Sequence, residues 1–122
     1  MKKLICFLLF LSILPTLWAQ VDLDSLLQLC AEYKGTNSDS LRKYAHEGLL
    51  LAEKENNELM LATFYRYAGI SSFQQQEYDT ASLYLDKALE LAIKHKDKSE
   101  EASAYLATGY MYTTQGDFKN FI

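Results

Sequence analysis

The most constraining feature of this chain is an internal repeat with a period of forty residues. Residues 38–82 align without gaps onto residues 78–122 when the sequence is shifted by forty positions. The recurring pairs include Asp39 and Asp79, Tyr44 and Tyr84, Leu49 and Leu89, Leu51 and Leu91, Ala52 and Ala92, Ala62 and Ala102, Tyr65 and Tyr105, and Gly69 and Gly109. A fixed period of about 20–50 residues is typical of solenoids, whose units bury apolar surface only against their neighbours. The repeat therefore favours a binding scaffold over an enzyme.

The apolar residues of the repeats recur every three or four positions, which predicts helices and no strands. Four helices are expected at about 23–33, 39–54, 58–75 and from Asp79 onward, where Asp79 is the expected cap. A fifth follows the capping-box pattern from Asp97 to Glu100 and ends near Thr114. Residues 118–122 would begin a sixth helix, so we expect the front of a longer protein. The predicted fold class is an all-α solenoid of antiparallel helix pairs, with residues 20–37 as a capping helix and loop, residues 38–122 as repeats, and an incomplete last unit.

Residues 1–19 have the pattern of a signal peptide. Lys2 and Lys3 precede an apolar run at 4–14, and Ala19 offers a small residue before Gln20. Such a run is too short to cross a bilayer as a helix. We therefore predict an exported protein of the periplasm or cell envelope that begins near Gln20, although the exact cleavage site is open. The alternative is an uncleaved membrane anchor.

The charge pattern argues against nucleic acid as a partner. Removal of the leader takes away two lysines and changes the net charge from −4 to −6, whereas nucleic-acid binding requires a basic surface. The basic residues concentrate in one place, among Lys94, His95, Lys96 and Lys98, and acidic residues interrupt them. We interpret this cluster as the end of a helix, where cations favour the terminal carbonyls, with phosphate binding as the alternative.

No pattern of catalytic, cofactor-binding or metal-binding residues is found in the sequence. The two histidines, His46 and His95, lack acidic or thiol partners at ligand spacing. Neither a phosphate-binding glycine loop nor a nucleophile elbow is present. Cys30 lies among leucines, without cations nearby in the sequence, and is interpreted as a buried apolar group. We therefore predict no enzyme activity, no cofactor and no metal.

Two glycines in predicted helices indicate close helix packing. A glycine inside a helix costs about 0.8–1.0 kcal/mol relative to alanine. Gly69 and Gly109 are therefore expected where another helix presses close, and Gly69 should lie against the fourth helix near Ala81 or Ala88.

The spacing around these glycines resembles that of tetratricopeptide repeats. One unit reads Tyr65-x-x-Ala68-Gly69-x-x-Ser72, followed by Tyr78 and then Ala81-x-x-x-Leu85-x-x-Ala88-Leu89; the next reads Tyr105-x-x-Thr108-Gly109-x-x-Tyr112. The period of forty exceeds the family's usual value of about 34, so the helices or their connections must be longer. With the leader, this stretched period is similar to repeats at the exported front of bacterial sensor kinases and response regulators.

The resemblance implies a groove lined by the first helix of each unit. The groove residues that it implies are Arg66, Tyr67, Ile70, Phe73, Leu106, Tyr110 and Thr113. Ile70 and Tyr110 occupy places where carboxylate-clamping members have asparagine, which favours an apolar or aromatic peptide or protein segment as the partner. The alternative to partner binding is that later repeats or a neighbouring domain cover this surface.

Two functions fit the sequence. The first is an exported scaffold that binds a protein or peptide in its concave groove. The second is the sensor segment of a two-component or transcriptional regulator, with covalently linked membrane and effector domains beyond Ile122. The gene beyond this point would distinguish them, because a sensor requires an apolar run of about 20 residues followed by an effector.

Overall fold

The computed structural model describes residues 21–116, and all the regular secondary structure in this part of the chain is α-helical. Its five helices are α1 (Leu23–Tyr33), α2 (Ser38–Lys54), α3 (Glu58–Gln74), α4 (Tyr78–Lys94) and α5 (Lys98–Gln115). The predicted all-α fold class is confirmed, and the predicted bounds of α1 to α3 agree within one residue. The expected leader at 1–19 and the expected sixth helix lie outside the described residues.

Identical connections join α2 to α3, α3 to α4, and α4 to α5. Each contains one residue with positive φ, and these residues are Asn56, Gln76 and Lys96, twenty positions apart. The next residue donates its backbone N–H over 2.9 Å to a carbonyl five positions earlier, which is the bond of a Schellman motif. That same residue is also the N-cap of the next helix. The forty-residue period therefore consists of two 17-residue helices and two three-residue connections.

The geometry of the connection determines which residue occupies the N-cap position, even where the side chain at that position is a poor cap. The prediction that Asp79 caps α4 was wrong: Glu77 holds the N-cap position and makes no capping bond. Its carboxylate instead pairs with Arg42. Asp97 caps α5 as predicted, accepting from the backbone N–H of Glu100 at 3.1 Å. The other half of the predicted capping box is absent, because the N–H of Asp97 is already bonded to the Ala92 carbonyl.

The helices stack in two layers. Consecutive helices run antiparallel and pack along their length, while α3 also packs directly against α1 and α5. Within residues 21–116, α2 and α4 are farther apart and meet through side chains such as His46 and Tyr84, whose rings are 6.0 Å apart. The closer spacing of α1, α3 and α5 places these helices on the inner side of the stack.

Two glycines allow this close stacking. A Cβ added to Gly48 of α2 would lie 2.6 Å from Cγ of Phe64 and still closer to two other ring carbons. The Phe64 ring is fully buried, and the sequence patterns did not single it out. A Cβ added to Gly69 would lie 2.9 Å from Cγ of Leu85 and 3.2 Å from the Ala81 carbonyl oxygen. The predicted contact of Gly69 with the fourth helix near Ala81 is thus confirmed.

The first helix covers one end of the core. Leu23, Leu26 and Cys30 of α1 are buried and belong to the same apolar cluster as the inward residues of α2 and α3. Along residues 21–116, no helix is both long enough and apolar enough to traverse a lipid bilayer.

Candidate interaction cleft between α3 and α5

A cleft of about 360 Å³ opens between α3 and α5 on the inner side of the stack. Its lining combines apolar side chains with a few polar ones at the edges. The residues are Lys34, Arg66, Ile70, Phe73, Gln74, Leu85, Ser103, Leu106, Ala107 and Tyr110. Leu85, which is 2% exposed, reaches the cleft from α4 and forms part of its floor. The cleft therefore combines residues of α3, α4 and α5 with the end of α1.

Five of the seven predicted groove residues line this cleft. They are Arg66, Ile70, Phe73, Leu106 and Tyr110. Tyr67 does not line the cleft: only 8% of it is exposed, and it belongs to the core shared by α1, α2 and α3. Thr113 is exposed but does not line the cleft, and its hydroxyl donates to the Gly109 carbonyl at 2.7 Å.

Arg66 is held by a buried ion pair at one end of the cleft. Its Nε donates to Oε1 of Glu100 at 2.5 Å, and Glu100 also accepts from the Thr63 hydroxyl at 3.1 Å. The two charged side chains are 11% and 9% exposed. Burial alone would lower the pKa of Arg66, but the hydrogen bond and charge of Glu100 outweigh it and raise that pKa above its ordinary value. Arg66 consequently bridges α3 and α5 at the edge of the cleft.

Aromatic rings close the other end of the cleft. Phe73 of α3 meets Tyr110 of α5 edge-to-face with ring centroids 5.7 Å apart, and it also contacts Tyr78 at 6.0 Å. Tyr110 is 64% exposed and neighbouring Leu106 is 75% exposed. Large apolar side chains this exposed, beside a preformed cleft, are typical of surfaces that bind another molecule.

Sequence reasoning missed the residues that other helices contribute to the cleft. Lys34 comes from the end of α1 and Leu85 from α4, while Glu100 of α5 does not line the cleft and reaches its edge only through the ion pair with Arg66. Lys34 is tied to the cleft because its carbonyl accepts from the Gln74 side chain at 2.6 Å. Lys34 and Gln74 are forty residues apart, which equals the repeat period. This spacing was the one sequence signal that could have predicted their proximity.

The basic cluster forms a separate surface around the start of α3. Glu58 pairs there with Lys94 at 2.9 Å and with His95 at 2.6 Å. These two partners, Lys94 first, lower the pKa of Glu58. Lys98 pairs with Glu101 within α5. The interpretation of this cluster as the end of a helix agrees with the position of Lys94 as the last residue of α4.

Cys30 is fully buried, as its apolar neighbours predicted. Burial raises the pKa of its thiol to about 12, although the charge of Arg66 acts in the opposite direction. Sequence reasoning found no cation near Cys30 because Arg66 approaches from α3. The effect of burial is larger, so the thiol is protonated at neutral pH.

Comparisons of the chain with protein-family models, curated proteins and solved structures found no match. Among residues 21–116, no group of three or more histidine, cysteine, aspartate or glutamate side chains is arranged to hold a metal ion.

Proposed function

We propose that this chain is a helical-repeat scaffold, of the tetratricopeptide type, that binds a peptide or protein segment in the cleft between α3 and α5. The observation that carries the proposal is the pair of large, exposed apolar side chains beside this cleft, Leu106 and Tyr110. Aromatic side chains in such positions supply much of the binding energy of protein interfaces. The ordered helices around them provide a rigid surface, which limits the entropy lost on binding.

Matched leucine substitutions test this function. Leu106→Asp places a charge beside the cleft, whereas Leu50→Asp places the same charge on α2, where Leu50 is 70% exposed and outside the cleft. Each variant would be used as full-length bait in extracts of the cell that makes the protein. We expect Leu106→Asp to lose the captured partner and Leu50→Asp to keep it, with equal helix content by circular dichroism.

A tyrosine pair on α5 sharpens the comparison. Tyr110→Ala removes a ring that lines the cleft, whereas Tyr105→Ala removes an exposed ring of the same helix that does not line it. We expect weaker capture only with Tyr110→Ala. Equal capture by the parent, Leu106→Asp and Tyr110→Ala would place the binding site elsewhere.

We propose in addition that the scaffold acts outside the cytoplasm, on the strength of the leader pattern at residues 1–19. Expression in a bacterial host followed by cell fractionation tests this. The mature protein should be found in the envelope fraction with an N-terminus near Gln20 by mass spectrometry, and cytoplasmic material that keeps Met1 would contradict export.

A further inference from the structure

Two contacts cross the cleft from α3 to α5 and limit the length of segment that fits between them. The Arg66–Glu100 ion pair bridges α3 and α5 at one end, and the Phe73–Tyr110 contact bridges them at the other. Seven helical steps separate Arg66 from Phe73, which corresponds to about 10 Å along α3, and ten steps separate Glu100 from Tyr110, which corresponds to about 15 Å along α5. The space between these bridges is therefore a short socket, and not a groove that runs the length of the stack.

The interior of the socket accepts apolar side chains. Ile70, Leu106 and Ala107 line it between the two bridges, above the floor formed by Leu85. On a bound helix, side chains four residues apart are separated by about 6 Å along the axis, so two of them fit between the bridges. A third, eight residues after the first, would need about 12 Å, which exceeds the spacing of the two bridges along α3. The socket thus suits two apolar anchors one helical turn apart.

The charges at the socket favour an acidic neighbour for these anchors. Both charged residues that line it, Lys34 and Arg66, are basic. Glu100 neutralises Arg66, whereas Lys34 forms no ion pair within 4.0 Å in the described part of the chain. The Gln74 side chain donates to the Lys34 carbonyl and holds the backbone of Lys34 near the Phe73 end, from which its side chain lines the socket. One uncompensated positive charge thus stands beside an apolar socket, in a chain of net charge −4.

We propose that the socket binds a helical peptide segment with two bulky apolar side chains one turn apart, and that a carboxylate beside the second one pairs with Lys34. This inference rests on the proposed function and specifies its partner. The apolar anchors supply affinity, and the carboxylate determines the orientation of the segment because the positive charge lies at one end only.

A displayed library of random twelve-residue peptides is a suitable probe. The full chain would be panned against the library, and clones that also bind Leu106→Asp would be discarded. We expect the remaining clones to carry two large apolar residues three or four positions apart and an aspartate or glutamate beside one of them. A synthetic peptide from the best clone would then be titrated by fluorescence anisotropy.

Charge reversal separates the inference from the proposed function. Lys34→Glu should lower the affinity for the synthetic peptide by about fivefold to tenfold, as expected when one exposed ion pair is replaced by repulsion between like charges. Lys96→Glu, with the same change of charge in the α4–α5 connection, should leave the affinity unchanged. Replacing the acidic residue of the peptide by its amide should weaken binding to the parent but not to Lys34→Glu.

Each other outcome has a definite meaning. Clones that depend on Leu106 but lack an acidic residue and ignore Lys34→Glu would refute the inference and leave the proposed function standing. An absence of clones that depend on Leu106 would refute both. A third outcome is that no peptide clone depends on Leu106, but the protein binds dodecanoate and Lys34→Glu weakens that binding. This result would assign the socket to a small anionic amphiphile and would also overturn the inference.

Discussion

Replacing Gly48 by alanine should destabilise the protein, although alanine is the better helix former. The added Cβ would lie 2.6 Å or less from three carbons of the fully buried Phe64 ring, which cannot turn away without disturbing the core. Overpacking of this kind costs about 1–3 kcal/mol, and the gain in helix propensity returns about 0.8–1.0 kcal/mol. Because three ring carbons are met at once, the overpacking cost should lie in the upper part of that range, at about 2–3 kcal/mol, which leaves an expected net loss of about 1–2 kcal/mol.

Urea denaturation followed by circular dichroism measures this loss, with the other glycines as controls. For an m-value of about 2 kcal/mol per molar, the midpoint should fall by about 0.5–1 M. Gly69→Ala should cost less, because its closest contacts, at 2.9 and 3.0 Å from Leu85 and 3.2 Å from the Ala81 carbonyl oxygen, are longer than those that Gly48→Ala would make with Phe64. Gly35→Ala, which meets nothing within 4 Å, should stay within about 0.5 kcal/mol of the parent.

A double substitution tests the cause of the loss. Phe64→Leu alone leaves space in the core, and Gly48→Ala should cost less in its presence than in the parent, which a double-mutant cycle would measure as coupling. The reasoning is refuted if Gly48→Ala unfolds at the same urea concentration as Gly35→Ala, because the ring would then yield without cost.

Three further outcomes follow from local features. Lys96→Gly should raise the free energy of unfolding by about 0.5–1 kcal/mol, since a left-handed backbone is costly for lysine, and Asn56→Gly should raise it less because asparagine tolerates that conformation. Because the pKa of Glu58 is lowered in the folded protein, its ionised carboxylate stabilises the fold at pH values above the ordinary pKa of 4.5. This stabilisation is lost as the pH falls through the folded pKa, so Glu58→Gln should flatten the pH dependence of the melting temperature below pH 5. Cys30 should react with a disulfide reagent at pH 8 only in denaturant, because its thiol is buried and its pKa is raised to about 12; rapid reaction of the folded protein would contradict this.

The helices could be predicted from the sequence because their apolar spacing and the polar residues between them are local signals. The bounds of α2 depend on Asn37 at its start and on the connection after Lys54, both visible in the sequence. The start of α4 was missed because its N-cap follows the left-handed Gln76, and positive φ at a glutamine has no sequence signature.

The cleft could be predicted only in part because α3 is surrounded. It packs against each of the other four helices, and its apolar residues extend around most of its circumference. Periodicity identifies a buried stripe only when the opposite side is polar. Tyr67 is therefore found in the core, whereas Ile70 and Phe73 line the cleft. The pairing of Arg66 with Glu100 depends on how α5 is aligned with α3, which no local pattern specifies.

The shared residue in each connection makes the array sensitive to insertions. The position that completes the Schellman motif of one helix is also the cap of the next, so no spare residue separates the helices. One residue added inside a helix would rotate every later side chain by about 100° around its axis and turn the apolar face away from the stack. Length changes that preserve the fold should therefore come in whole helix pairs of forty residues, and a chain of this kind grows by duplication more readily than by single insertions.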